Sequence, residues 1–339
     1  AMMLRARIRD FSLDAAGMNL LTNNIDLEKA EVNGADVTIL FNDSITSAAD
    51  TSSSKPSPLK IKASEIKLTD ITYRMRMMPV IDSLSASVPQ ALLSDASIDM
   101  GTKRIHAAAL SVDSVNAVYL TPSAEYTSAH PASVDTVTTS EPDTAAAAWT
   151  VTAGSLHLSG KKAVYAMRGA APLPGLDMNY LQASAIEIDV DSFYNRGASI
   201  TVPLKKLSAR ERCGIILSAY GTFSMDSVLM KASDFRLSTL FSDIHLDAAM
   251  GIGNLTSDRT LPLHLSASGS VALADAALAF PAMAPVLRQL PSTDMAINAD
   301  ISGTSGTLSV NDLSARLPRF ATISAKGSVN NPFDFDNMS

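Results

Sequence analysis

A chain of 339 residues with net charge −7, 46% apolar and only 18% charged residues, is too apolar for disorder. It carries no basic stripe for nucleic acid, and its acidity opposes docking on an anionic bilayer. Its single cysteine, Cys213, excludes an intramolecular disulfide, and no apolar run reaches the ~18–20 residues of a membrane span.

The chain opens in a strand-like pattern, and its first residues do not read as a secretory leader. It is expected to be a segment of a longer protein, with Ala1 a cloning remnant. Leu4, Ala6 and Ile8 fall on one face and Arg5, Arg7 and Arg9 on the other, the period of a half-buried strand. Residues 1–58 read as an N-terminal β segment carrying a loop at 42–58. That loop is Ser, Thr, Ala and Pro rich and cannot bury a core, so it is expected to be mobile. Residues 59–120 read as a first β repeat, with Ile66 and Leu68, then Leu110 and Val112, on its apolar face. A second low-complexity loop, also expected to be mobile, spans 121–148. Residues 149–250 read as a second β repeat, with Leu156 and Leu158, then Ile186, Ile188 and Val190, as apolar positions. Residues 251–339 close the chain with a further β segment. It contains a short helix at about 281–290, with Pro281 in the first turn and Pro291 as a stop. Met283, Val286, Leu287 and Leu290 share a face of that helix.

A loose unit, apolar-x-apolar followed by two turn-type residues, recurs along the chain. Asn33-Gly34, Thr69-Asp70, Asp113-Ser114, Ser159-Gly160 and Asp191-Ser192 are among its turn pairs. Roughly ten such matches arise by chance in so apolar a sequence, so the unit marks β-content and not a repeat. A longer match carries more. Residues 60–75 and 150–167 share apolar positions at Ile61/Val151, Ala63/Ala153, Ile66/Leu156 and Leu68/Leu158, and each then reaches a tyrosine, Tyr73 or Tyr165. Their spacing of about ninety residues reads as a degenerate structural repeat.

The sequence shows no catalytic signature. The five histidines show no metal-ligand spacing, and His157, His245 and His264 read as solvent-facing strand residues. No nucleophile elbow, phosphate loop or dinucleotide fingerprint occurs. Glu187, Asp189 and Asp191 share one strand face, which admits an acid/base pair or a calcium site. The simpler reading is a solvated face opposite Ile186, Ile188 and Val190. No enzyme, no metal and no cofactor is expected.

Roughly fifteen to twenty strands of about five to eight residues would form a ribbon about 70–95 Å long. Its aliphatic face needs a cover: a second sheet, its own curvature, a helix or an apolar ligand. Composition does not choose between a filled sandwich and an open trough, although few aromatics and many methionines lean toward the trough.

The stretches "WTVTAGSLHLSGKKAVYAM", "LPGLDMNYLQASAIEIDVDSF" and "ERCGIILSAYGTFSMD" resemble the AsmA-like proteins, and within them the TamB proteins of Bacteroidetes-type bacteria. So do "LSASGSVALADAALAFPAMAPVLRQL" and "ISGTSGTLSVNDLSARL". The resemblance covers residues 55–330. It implies a mainly β fold: an elongated, curved antiparallel sheet, taco-like, with one or two short helices. It implies a periplasmic protein anchored to the inner membrane through a region not in this chain. It implies a hydrophobic β-groove that shields phospholipid acyl chains in transit between the membranes, or that supports outer-membrane protein assembly. A partner outer-membrane β-barrel would be engaged through regions also absent here. The residues expected to line the groove are Ile66, Leu68, Leu110, Val112, Leu156, Leu158, Ile186, Ile188 and Val190. Rival readings from other classes are a β-sandwich scaffold or adhesin that binds no lipid, and a divergent hydrolase.

Overall fold

The structure is a computed structural model and describes residues 2–19, 21–42, 58–78, 82–122, 148–253, 258–290 and 294–333. The stretches 43–57 and 123–147, where mobile loops are expected, lie outside the described residues, as does Pro291. The fold is mainly β, an open sheet of fifteen strands in which sheet order follows chain order from β1 to β15. By internal contacts it divides into two units, the first being Ala1–Leu173 with Asp177–Glu187 and the second Pro174–Leu176 with Ile188–Ser339.

The first unit holds β1 (Met2–Asn19), β2 (Asn24–Asn42), β3 (Lys60–Met78), β4 (Asp82–Asp99), β5 (Arg104–Thr121), β6 (Thr150–Met167) and the start of β7 (Tyr180–Arg196). Strands β1 to β6 run 18 or 19 residues each, far longer than the five to eight expected. The cause is local. Gly34, Asp70 and Ser114 have φ of +70°, +52° and +59°, yet all lie inside strands. They are kinks within a strand, not chain reversals.

Their alignment makes this possible. Ile8 pairs with Ala35 and Asp10 with Asn33, so Arg9 stands opposite Gly34. By the same reading of the registers, Gly34 faces Asp70 and Asp70 faces Pro89. A proline has no N–H to lose where the ladder is already interrupted. Polar side chains serve the groups the kink exposes. The Arg9 guanidinium donates to Asn33 Oδ1 at 2.9 Å and lies 3.6 Å from the Asp70 carboxylate. Ser159 Oγ accepts the Ser114 N–H at 2.9 Å and donates to Asp113 Oδ1 at 3.3 Å.

A second line of irregularity crosses the same strands about six residues away, through Ser64, Asp95 (φ +48°) and Ala108. Each kink shifts the apolar pattern by three instead of two. In β3 the apolar positions run Ile61, Ala63, then Ile66, Leu68, then Ile71, Tyr73, Met75. Strand β5 repeats this with Ile105, Ala107, then Leu110, Val112, then Val115, Ala117, Tyr119. Bulges bend strands, and small side chains collect where they do. Ala63, Ala96, Ala107 and Ala153 form one row beside the second kink and are only 4–9% exposed.

Antiparallel pairing holds at most described steps, but β2 and β3 are parallel, as are β5 and β6. The antiparallel sheet expected from the sequence thus carries two parallel steps. A parallel step needs a connection of a dozen residues or more. The Ser/Thr/Pro-rich stretches fall at just these two steps, between β2 and β3 and between β5 and β6.

The second unit continues with the end of β7 and then β8 (Ser199–Glu211), β9 (Ile216–Met225), β10 (Leu229–Ser238), β11 (Asp243–Gly251), β12 (Pro262–Ala272), β13 (Asp294–Thr304), β14 (Thr307–Leu317) and β15 (Ala321–Asn330). These strands are shorter, at 9 to 13 residues for β8 to β15, and antiparallel throughout that run. Helical residues begin directly after β12, earlier than expected, in α1 (Leu273–Ala279). A 3₁₀ turn (Pro281–Met283) and the single-turn α2 (Ala284–Leu287) follow. Pro281 opens the 3₁₀ turn and Pro285 lies in the first turn of α2, so the one helix expected at 281–290 is divided. Ala274 and Asp275 sit in α1. Asp275 is buried and accepts from the hydroxyls of Thr239 and Ser242, the latter at 2.5 Å, so α1 is held to the turn between β10 and β11.

Candidate functional site: the apolar face

Six of the nine positions expected to line a groove come together in two adjacent rows of the first unit. Ala30, Ile66, Leu93, Leu110 and Leu156 stand opposite one another across β2 to β6, and Leu13 extends the row onto β1. Val32, Leu68, Ala91, Val112 and Leu158 form the next row, extended by Phe11. Both rows lie between the two kink lines. Ile186 adjoins them: a Cβ built on Gly160 would lie 3.2 Å from the Ile186 Cβ. Ile188 and Val190 fall in the second unit, where Val190 is buried and Ile188 half-buried. Sequence reasoning missed Ala91 and Leu93 of β4. The signal was present in the three-residue steps Val88, Ala91 and Leu93, Ala96, but only the kinks give those steps a meaning.

The opposite face of the first unit is charged. Lys29 lies 2.8 Å from Glu31 and 3.3 Å from Glu65. Its hydrogen bonds to these two carboxylates raise the Lys29 ammonium, and the same contact holds Glu31 below the ordinary carboxylate range. One strand thus separates charge from aliphatic surface, as period-two alternation requires.

The second unit is built on the same plan. Val202, Phe223, Ala232, Ala248, Leu265, Ile301 and Val310 form one row across β8 to β14. A parallel row joins Leu207, Ala219, Leu237, Ile244, Gly269 and Ile297. An apolar cavity of about 680 Å³ lies beside α1 and α2, lined by Phe241, Leu273, Ala277, Leu278, Leu287 and Leu290, with Arg288 among its polar members.

None of this surface is closed over as a core is. Among the described residues no large side chain is fully buried, and the residues of the two central rows are mostly half-buried. The strands contact their sheet neighbours, and α1 touches β12; no second sheet stacks on either unit's apolar face among the described residues. At β1 the rows end openly, with Phe11 59% and Leu13 49% exposed.

The acidic trio is separated in role. Asp191 pairs with Lys205 at 3.6 Å, Glu187 is exposed and Asp189 half-buried, and the three do not form a group able to share an ion among the described residues. Burial, reinforced by Glu211, pushes the Cys213 thiol up, away from a reactive thiolate. Among the described residues no helix is long and apolar enough to cross a membrane.

Comparison with family models, with curated proteins and with solved structures yields no match.

Proposed function

We propose that this chain is a lipid-shielding segment of an AsmA-like, TamB-type protein of the periplasm, in which the apolar rows hold phospholipid acyl chains. One observation carries the reading: continuous aliphatic rows cross strand after strand, remain half-exposed, and have no packed layer over them among the described residues. A filled β-sandwich would bury large side chains between two sheets. Here an apolar ligand is the natural cover. Removing acyl methylenes from water is worth about 0.8 kcal/mol per buried CH₂. That burial is non-directional, so a chain can move along a row without meeting one dominant site. The headgroup stays in solvent. Passage of phospholipid between inner and outer membranes, or support of outer-membrane protein assembly, is the role that the resemblance to AsmA-like proteins implies for such a surface. An outer-membrane barrel as partner belongs to the same proposal.

The test uses strand parity. A photoreactive side chain placed at Leu156 or Leu158 should cross-link phospholipid in cells, while the same group at His157, on the other face, should not. Lipid extraction and native mass spectrometry of the purified protein would identify the class carried. Equal labelling at all three positions, or a protein that stays lipid-free after incubation with phospholipid vesicles, would replace this reading with the scaffold.

A further inference from the structure

We propose that Asp234, His245 and Asp247 form a divalent-metal site of the zinc type on the polar face of the second unit, independent of lipid binding. Strand alternation puts His245 and Asp247 on one side of β11, opposite Ile244 and Leu246. The third donor comes from β10. A register shift between Ala232 and Phe235 sets Ser233 and Asp234 against Asp247, and Asp234 takes φ +52°. The Asp234 N–H donates to Asp247 Oδ1 at 2.8 Å, which fixes that carboxylate, and Asp247 Oδ2 lies 3.9 Å from His245 Nδ1. One ligand atom from each of the three residues lies within 4.8 Å of the other two.

The donor set selects the ion. Zinc takes imidazole nitrogen and carboxylate oxygen at about 2.0–2.2 Å, so ligand atoms around it stand roughly 3–3.5 Å apart. Asp234 and His245 are exposed and can close that gap by side-chain rotation. Calcium and magnesium ask for six or more oxygens and do not favour imidazole. The neighbouring cation is already engaged: Arg236 makes a two-pronged contact with Asp243. Asp234 and Asp247 are therefore left to balance an added positive charge. The three sit beside an open cavity of about 490 Å³ whose lining includes Tyr220, Arg236, His245 and Ser268, which gives water access to the remaining coordination positions. The histidine distinguishes this group from an acidic surface cluster, because it adds a borderline-soft nitrogen that favours transition metals.

Chelator-treated protein titrated with Co²⁺, followed by its visible absorption, and with Zn²⁺ by calorimetry should bind one ion per chain. Zn²⁺ should also raise the thermal midpoint, since the ion ties β10 to β11. His245→Ala and Asp234→Asn should each weaken binding at least about tenfold, with metal-free midpoints near wild type because both side chains are exposed. His264→Ala, on β12, should bind as wild type does. No saturable uptake, or uptake unchanged in His245→Ala, would overturn the site.

Discussion

At Asp226 one carboxylate closes the turn between β9 and β10. Its Oδ1 accepts the backbone N–H groups of Val228 at 2.7 Å and Leu229 at 2.8 Å. These bonds favour the charged form and lower the pKa from the ordinary 3.8. A carboxylate depressed in the folded state adds stability that is fully present above its unfolded value. That stability fades as pH falls through the lower folded one. Acid titration of the urea midpoint should therefore show a steeper loss below about pH 3.8 in wild type than in Asp226→Asn, which has nothing to titrate there. Parallel curves would mean the turn is held by something else. Single residues were also where sequence reading was weakest. His245 reads as a surface histidine and is exposed, but its nearness to Asp234 was not legible, because that residue lies on another strand and no spacing rule spans a bulge.

For the strands, alternation was legible and length was not. Asn33-Gly34, Thr69-Asp70 and Asp113-Ser114 look like reversals because Gly, Asp and Ser take the same left-handed backbone in a turn and in a kink. What separates the two is the neighbouring strand: a kink survives only where its partner breaks at the same height, and local sequence does not contain that. The loose unit is, at these three sites, the apolar row followed by its kink. The kink makes a sharp demand on Asp70, held at φ +52°. Asp70→Val should cost about 1–2 kcal/mol, the penalty of a left-handed backbone for a side chain that cannot bond locally. Asp70→Gly should be neutral or stabilising. Urea unfolding of both variants checks this, and an undisturbed valine variant would remove the kink from the account. The exposed contact of Asp70 with Arg9 adds little to either figure.

Across the molecule, most of the apolar positions could be named from alternation, but their assembly into rows could not. Rows depend on register, and register across β2–β3 and β5–β6 is set by parallel steps that alternation does not announce. The repeat inferred from Ile61/Val151 and Leu68/Leu158 gains a physical meaning here. In each parallel pair the second strand, β3 or β6, places these matched residues in the same rows.

Those parallel steps also bear on how such a chain can grow. Three antiparallel strands leave the chain at the end opposite to where it began. A parallel step returns it, so that the next group starts from the same side with the same phase. The group from β3 to β5 is thus a cassette that can be duplicated or lost by a single in-frame event. Its loss would move neither the kinks nor the rows of the strands that remain. Excision of residues 60–149 should set β6 against β2, with Val151 where Ile61 now faces Ile25. The shortened protein should keep a strand-dominated circular dichroism spectrum and a cooperative melt; an unfolded product would show that β3 to β5 are required for more than length. Length would then be a quantity that selection can adjust in whole steps.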